Sequence, residues 1–212
     1  MKRGTLIVFE GIDGVGKATQ VKMLARELRK RGTQVTTFSF PDYTDVVGNF
    51  IRESLQNKHG EYRKMDAYHT SLPFAVDRGL AGEKISNALR KGIVICDRYT
   101  TSNLAFGAAN CEPAQRAAFR RFFEKLEYGK FKLPRPDIVL YLSLPVTLSQ
   151  KRLRIESNKK LDANERDVRY QKEVTKEYAV LARRREWHTI RCESGEPPQT
   201  IHSRVWDAVR KA

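Results

Sequence analysis

Short apolar segments alternate with longer amphipathic segments along the whole chain. The apolar runs have the length and composition of buried strands and lie at residues 5–10, 34–39, 93–97, 137–143 and 188–192. Helical periodicity fills the intervals, at residues 16–31, 46–56, 65–90, 102–110, 113–126, 145–154, 164–184 and 198–211. Strands and helices that alternate in this way predict an α/β fold built from βα units around a parallel sheet.

Length and composition narrow the class of protein. We expect one domain, residues 1–212, because 212 residues suit a single core and no repeat or linker divides them. No uncharged stretch approaches the roughly 18 residues of a membrane span, and Glu10 ends the first apolar run too early for a signal peptide. Cys96, Cys111 and Cys192 lack CxxC spacing and predict thiols of a reducing compartment, which favours the cytoplasm.

The charge balance is strongly basic and indicates an affinity for anions. The chain carries 40 Lys and Arg residues against 25 Asp and Glu residues, a formal net charge of +15. Nucleic acid, nucleotides and an anionic membrane surface all fit this balance. Composition alone does not choose among them.

The most specific motif lies between the first predicted strand and the first predicted helix. Residues 11–19 read Gly-Ile-Asp-Gly-Val-Gly-Lys-Ala-Thr, which has the GxxxxGK spacing of a phosphate-binding loop. Glycines let the backbone N–H groups approach phosphates, the helix N-terminus adds a positive dipole, and Lys17 reaches the β- and γ-phosphates. The predicted nucleotide-binding residues are Gly11, Asp13, Gly14, Val15, Gly16, Lys17, Ala18 and Thr19.

One position of this loop departs from the usual pattern. Ala18 follows the lysine, where a Ser or Thr hydroxyl usually holds Mg²⁺. Thr19 points about 100° further round the helix, so it does not simply replace that hydroxyl. Asp97, at the end of a predicted strand, is the candidate carboxylate for the Mg²⁺ shell, directly or through water.

Further residues predict a second site of the size of a nucleoside monophosphate. Phe74 and Arg78 are four residues apart on a predicted helix and share a face, where an aromatic ring and a guanidinium suit a base and a phosphate. Arg98 follows a predicted strand, at the edge of the sheet where ligands bind. Asn103 and Phe106 are three residues apart and combine an amide that can read a pyrimidine with bulk that can exclude a ribose 2′-hydroxyl.

Taken together, these segments resemble the thymidylate kinases, a family of phosphate-loop nucleoside monophosphate kinases. The motifs FEGIDGVGKATQ, SFPDY, FAVDRG and DRYTTSNLAF stand in the family's order and spacing, and the resemblance covers nearly the whole chain. It implies a three-layer fold with a five-stranded parallel sheet between helices, transfer of phosphate from ATP to dTMP with Mg²⁺, and a homodimer. The nucleotides would then be the partners, with no membrane or nucleic acid expected.

The resemblance also implies roles for single residues. Asp13 would hold the 3′-hydroxyl of the acceptor, Phe74 would stack on thymine, and Asn103 would read the base. Arg78 and Arg98 would bind the acceptor phosphate, and Phe106 would disfavour ribonucleotides. Phe40, Pro41 and Tyr178 would complete the acceptor pocket, and Gly107 stands where a small polar residue is expected.

A lid at about residues 152–165 would cover the site. Some members of the family carry a catalytic arginine in the phosphate loop, where this chain has Gly14, whereas the others resemble this chain in having a basic lid. The catalytic candidates are Lys17 and Arg98 with the lid residues Arg152, Arg154, Lys159 and Lys160. We expect residues 155–165 to form a mobile surface loop.

Two other functions remain compatible with the sequence. The chain could be a kinase that acts on a deoxynucleoside or on another monophosphate such as dUMP, because one methyl group contributes only about 1–3 kcal/mol of discrimination. A phosphate-loop ATPase that binds nucleic acid would also explain the charge of +15. However, the aromatic and basic candidates cluster around one predicted site and form no continuous stripe.

Overall fold

The computed structural model describes residues 3–60, 62–156 and 162–212. Within them, five parallel strands form one sheet in the order β2-β3-β1-β4-β5. The strands are β1 (Leu6–Glu10), β2 (Val35–Ser39), β3 (Ile93–Asp97), β4 (Ile138–Ser143) and β5 (Trp187–Arg191). This confirms the predicted α/β fold with a five-stranded parallel sheet, and each strand lies within one or two residues of its prediction.

Helices connect the strands and cover both faces of the sheet. They are α1 (Lys17–Lys30), α2 (Val46–Leu55), α3 (Ala67–Leu89), α4 (Thr100–Ala109), α5 (Arg116–Glu124), α6 (Val146–Glu156), α7 (Ala163–Arg166), α8 (Val168–Leu181) and α9 (Pro198–Lys211). Short 3₁₀ turns lie at Tyr62–Lys64 and Pro113–Gln115, and a π-helical turn lies at Lys125–Lys130.

Two apolar clusters fill the space between the sheet and its helices. Alternate residues of the central strand β1 belong to different clusters: Leu6 and Val8 face one side, and Ile7 and Phe9 face the other. All four side chains are fully buried. A central parallel strand that is apolar on both faces is the expected consequence of helices on both sides.

Three predicted segments differ from the structure in detail. The helix predicted over residues 164–184 is interrupted at Asp167, whose carboxylate accepts a hydrogen bond from the Tyr170 N–H and so starts a new helix. The helix predicted over residues 113–126 consists of a 3₁₀ turn, α5 and the beginning of the π-helical turn. The ends of the predicted loop at 155–165 are helical in α6 and α7, and residues 157–161 lie outside the described part of the chain.

The parallel register brings the carboxyl ends of neighbouring strands to one edge of the sheet. Phe9 of β1 pairs with Asp97 of β3, and Ser39 of β2 pairs with the same residue. The loops after β1, β2 and β3 therefore meet at this edge, which is where parallel α/β sheets bind ligands. Among the described residues, no helix is both long enough and apolar enough to cross a membrane.

Candidate active site

The loop between β1 and α1 has the shape that the glycine spacing predicts. Gly11, Gly14 and Gly16 all have positive φ angles, of 140°, 71° and 94°. At Gly11 a Cβ would lie 2.5 Å from the carbonyl oxygen of Leu142 in β4, so a side chain does not fit there. This conformation leads directly into α1, which begins at Lys17.

Lys17 is buried at the base of this loop. Its Nζ donates hydrogen bonds to the carbonyl oxygens of Gly11 at 3.1 Å and Ile12 at 3.0 Å, and it lies 3.7 Å from Oδ1 of Asp13. Burial and the nearby Arg98 charge lower the pKa of Lys17, and Asp13 opposes the shift. Ala18 and Thr19 occupy the next two positions of α1 and are exposed.

Arg98 connects the phosphate-binding loop with the second site. Its Nη2 donates a 2.6 Å hydrogen bond to Oδ1 of Asp13, and its guanidinium lies 4.8 Å from the centre of the Phe106 ring. Burial raises the pKa of Asp13, but the charges of Arg98 and Lys17 outweigh it and lower that pKa below its ordinary value. Arg98 also has a φ of 64°, a strained conformation for a residue with a side chain, which is common at functional sites.

The Glu10 carboxylate stabilises this strained turn through hydrogen bonds to the residues that follow Arg98. The carboxylate is fully buried and accepts hydrogen bonds from the Tyr99 N–H, from the Thr101 and Ser102 hydroxyls at 2.5 and 2.7 Å, and from the Tyr178 hydroxyl at 2.7 Å. A buried carboxylate requires such partners. Sequence reasoning missed Glu10, although its position at the end of an apolar strand was a usable signal.

One cavity opens beside Asp13 and Arg98. Its volume is about 160 Å³, and it is open to solvent on one side. Its lining includes most of the predicted acceptor residues, namely Asp13, Phe40, Pro41, Phe74, Arg78, Arg98, Asn103 and Phe106. Residues of α3, α4 and the loop after β2 are thus brought together around one pocket.

Other residues of the cavity lining were not named individually from the sequence, although Asp162, Asn164 and Glu165 lie in the predicted lid segment. Tyr43 follows β2, Thr70 and Ser71 lie on α3, and α7 with its N-cap contributes Asp162, Asn164 and Glu165. Asp162 and Glu165 form a capping box at the start of α7, with mutual side-chain to backbone hydrogen bonds of 2.8 Å. Burial raises the pKa of Asp162 to about 7. The S/T/D-x-x-E spacing of a capping box was a usable signal here.

Arg78 lies at the back of this cavity in a buried ion pair. Its Nε donates to Oε2 of Glu127 at 2.7 Å and its Nη2 donates to Oε1 at 3.0 Å, and neither side chain has appreciable exposed surface. Burial raises the pKa of Glu127, and Arg78 and Asn103 oppose that shift. That Arg78 binds the acceptor phosphate stays a prediction, but its charge is already compensated by Glu127, a residue that sequence reasoning missed.

Four other predicted residues lie away from the cavity lining. Tyr178 is fully buried behind Phe106, with a ring-centre distance of 6.0 Å, so it supports the pocket wall from behind. Asp97 is half-buried at the end of β3. Arg152 donates a 2.9 Å hydrogen bond to the Glu193 carbonyl oxygen, and Arg154 is exposed near the end of α6. Lys159 and Lys160 lie outside the described residues.

A phosphate-binding loop with an adjoining cavity suits a kinase with two substrates. A family model described as thymidylate kinase matches residues 9–205, almost the whole chain. The chain belongs to the thymidylate kinase family. It is 32 % identical to the thymidylate kinase of Mycobacterium tuberculosis over 183 residues, which cover 84 % of this chain and 85 % of that one.

Other relatives extend this result over the full length. The chain is 30 % identical to the thymidylate kinase of Plasmodium falciparum over 213 residues, which cover 99 % of this chain and 91 % of that one. A solved structure of the thymidylate kinase from Candida albicans superposes with a TM-score of 0.75 at 20 % identity, and covers 99 % of this chain and 92 % of that one. This structural likeness confirms the three-layer fold of the family.

Packing explains two positions at which the chain departs from thymidylate kinase patterns. A Cβ at Gly14, which has a φ of 71°, would come within 3.0 Å of the Ser149 carbonyl oxygen, because α6 packs directly on the phosphate-binding loop. A Cβ at Gly107 would lie 2.2 Å from Cζ of Phe119. In this chain a side chain is therefore unfavourable at both positions.

Proposed function

We propose that the chain transfers the γ-phosphoryl group of ATP to dTMP and so forms ADP and dTDP. The observation that carries this proposal is the bond between Asp13 of the phosphate-binding loop and Arg98 of the adjoining cavity. This bond links the loop that would bind the donor phosphates to the cavity that would bind the acceptor. Membership of the thymidylate kinase family supports the same reaction.

ATP would bind with its phosphates in the loop at residues 11–19. The N-terminal N–H groups of α1 and the ammonium group of Lys17 are the donors that such phosphates require. Lys17 would exchange its present bonds to the Gly11 and Ile12 carbonyls for phosphate oxygens. This exchange needs only a change of side-chain rotamer, because the Lys17 backbone is held in α1.

The acceptor would lie in the cavity with its phosphate towards Arg98. Asp13 would hold the 3′-hydroxyl, Phe106 would occupy the space of a ribose 2′-hydroxyl, and Phe74 would stack on the base. We place Arg78 at the base end instead of the phosphate end, because Glu127 pairs with both its Nε and its Nη2. Phe40 and Pro41 would close the pocket, with Tyr178 behind Phe106.

The residues at this edge of the sheet are compatible with Mg²⁺. Asp97 is half-buried at the carboxyl end of β3, and its charge acts on Lys17. Mg²⁺ in kinases is held by one or two carboxylates with water and substrate phosphates, so no larger group of acidic ligands is needed, and the described residues contain none. When bound, the ion would neutralise charge on the phosphates. Asp97 would hold it, directly or through water.

Catalysis would rest on alignment and charge, because the phosphate oxygen of the acceptor is already a nucleophile and needs no general base. Lys17 and Arg98 would surround the transferred group with positive charge. A basic lid residue, Arg152, Arg154, Lys159 or Lys160, would add to it, and a lid at about 152–165 would exclude water. A positively charged finger contributes about 10³–10⁵ in rate in related phosphoryl transfers.

Homodimer assembly and a cytoplasmic location are part of the same proposal. Exposed apolar side chains on α2 and α3, among them Val46, Phe50 and Leu80, support assembly into a homodimer.

Cys96 and Cys192 are buried, and free thiols suit a reducing cytoplasm. The chain would form one domain over residues 1–212.

A coupled assay of ADP release tests the reaction. Purified protein with ATP and Mg²⁺ is given dTMP, dUMP, dCMP, UMP or thymidine, and we expect dTMP to give the highest kcat/KM and thymidine to give no turnover. A higher kcat/KM with another monophosphate would replace dTMP as the substrate. ADP release that depends on added DNA and falls steeply with salt would instead indicate a nucleic-acid-dependent ATPase.

A further inference from the structure

Glu127 is a buried carboxylate at the back of the cavity, held in an uncommon backbone conformation. It lies on the π-helical turn Lys125–Lys130 and has no exposed surface. Such turns are rare and are frequently found at functional sites. Burying a carboxylate is costly unless it is fully paired, so its partners indicate what it does.

Among the residues that the structure describes, the Glu127 carboxylate has two partners, and both line the cavity. The Arg78 guanidinium binds its two oxygens at 2.7 and 3.0 Å. The side-chain amide of Asn103 donates from Nδ2 to Oε1 of Glu127 at 3.1 Å. Since Arg78 supplies only donors, it requires Glu127 to act as the acceptor.

This arrangement determines which way the Asn103 amide points. Its Nδ2 also donates to the Ser71 carbonyl oxygen at 3.1 Å, so both protons of the NH₂ group are bound by acceptors. Reversing the amide would place its oxygen against the Glu127 carboxylate and the Ser71 carbonyl. In the described part of the chain no protein group donates a hydrogen bond to Oδ1 of Asn103. This oxygen is nevertheless not fully enclosed, so it keeps some accessible surface.

We propose that Glu127 is a positioning residue that sets the base specificity of the acceptor site. By holding the Asn103 amide in one orientation, it makes the cavity present a hydrogen-bond acceptor to the base. The ligand class that fits is a pyrimidine with an N–H at position 3, which thymine and uracil have. Cytosine has a lone pair there, which would face the oxygen lone pairs of Asn103. This inference rests on the proposed function, because it names the base that the same site accepts.

The test compares two substrates in one preparation of enzyme. The ratio of kcat/KM for dTMP to kcat/KM for dCMP does not depend on the fraction of correctly folded protein, so loss of stability alone leaves it unchanged. We expect a ratio above about 100 in the unmodified chain, because sites that hydrogen-bond a substrate N–H strongly reject an analogue that lacks it. In Glu127→Gln, the new NH₂ group can face the Asn103 amide, so that only the Ser71 carbonyl still favours the present orientation, and we expect the ratio to fall at least ten-fold.

Glu177→Gln is the matched control. Glu177 is also a buried carboxylate paired with arginines, at 3.1 Å from Arg116 and in contact with Arg120, and it does not line the cavity. We expect this variant to lower the melting temperature and to keep the substrate ratio of the unmodified chain. If Glu127→Gln also keeps that ratio within two-fold, Glu127 has only a structural role and the proposal is overturned.

A second variant covers the case in which Glu127→Gln gives no soluble protein. Glu127→Asp keeps the charge that Arg78 needs but withdraws the carboxylate by one methylene, so we expect the ratio to fall here as well, and an unchanged ratio refutes the proposal. An unmodified chain that phosphorylates dTMP and dCMP equally well refutes the role of Glu127 and leaves the kinase function intact. A chain that phosphorylates neither refutes both.

Discussion

Oδ1 of Asp13 accepts a 2.6 Å hydrogen bond from Nη2 of Arg98, although 85 residues separate them in the sequence. One residue belongs to the phosphate-binding loop, and the other follows β3 in a strained backbone conformation. Lys17 lies 3.7 Å from the same oxygen of Asp13. Two cations that belong to different elements therefore meet at one carboxylate, where the phosphate-binding loop adjoins the cavity.

Arg98→Ala tests whether this junction is catalytic. We expect kcat/KM for dTMP to fall by about 10³ or more, because the guanidinium would stabilise charge on the transferred group. Arg184→Ala is the control, since Arg184 pairs with Glu124 at 2.7 Å and does not line the cavity. Steady-state kinetics of both variants decide the point, and near-normal turnover of Arg98→Ala would remove Arg98 from the mechanism.

The two arginines of α6 are expected to differ in effect. Arg152 is bound to the Glu193 carbonyl at 2.9 Å, in the loop after β5, whereas Arg154 is exposed and lies closer to the end of α6. We predict that Arg154→Ala lowers kcat at least ten-fold and that Arg152→Ala lowers it less. Each variant serves as the control of the other under saturating ATP and dTMP. The opposite order would assign the lid contact to Arg152.

Ala18→Ser restores the hydroxyl that phosphate-binding loops usually place after the lysine. Because Ala18 is exposed at the first turn of α1, a serine fits there without repacking. We expect the Mg²⁺ concentration for half-maximal activity to fall several-fold. Thr19→Val, one position further round the helix, should leave it unchanged. Identical Mg²⁺ titrations for Ala18→Ser and the unmodified chain would show that no ligand is missing at position 18.

Asp77 makes stability depend on pH. Its carboxylate accepts hydrogen bonds of 3.2 and 3.3 Å from the Asp42 N–H, and burial raises its pKa from 3.8 to about 6. Between these two values the folded state binds more protons than the unfolded state, so this group makes the free energy of unfolding decrease as pH rises from about 4 to 6.

Asp77→Asn removes this titration while keeping an oxygen that accepts from Asp42. We expect the difference in melting temperature, variant minus unmodified chain, to increase from pH 4 to pH 6 and then to stay constant. Asp66→Asn is the control, because Asp66 has an exposed side chain and accepts from the Tyr68 N–H. A difference that does not change between pH 4 and pH 7.5 would contradict the raised pKa of Asp77.

Local sequence patterns were sufficient to predict the strands and helices themselves. The inner strands β1, β3 and β4 are short apolar runs, and α1 follows from glycine spacing together with its apolar periodicity, so neither requires a distant partner. The break at Asp167 and the π-helical turn were missed, because a single capping hydrogen bond and one extra residue per turn leave little trace in periodicity.

By itself, the sequence determined the strands and the phosphate-binding loop, because each of these depends on neighbours a few positions away, and the family resemblance indicated eight of the residues that line the cavity. Only the tertiary structure decided how those residues are supported. Glu127 reaches Arg78 across 49 residues and Glu10 reaches Tyr178 across 168. These pairs exist because a buried charge or hydroxyl must find a partner in three dimensions, and no spacing along the chain records which partner that is.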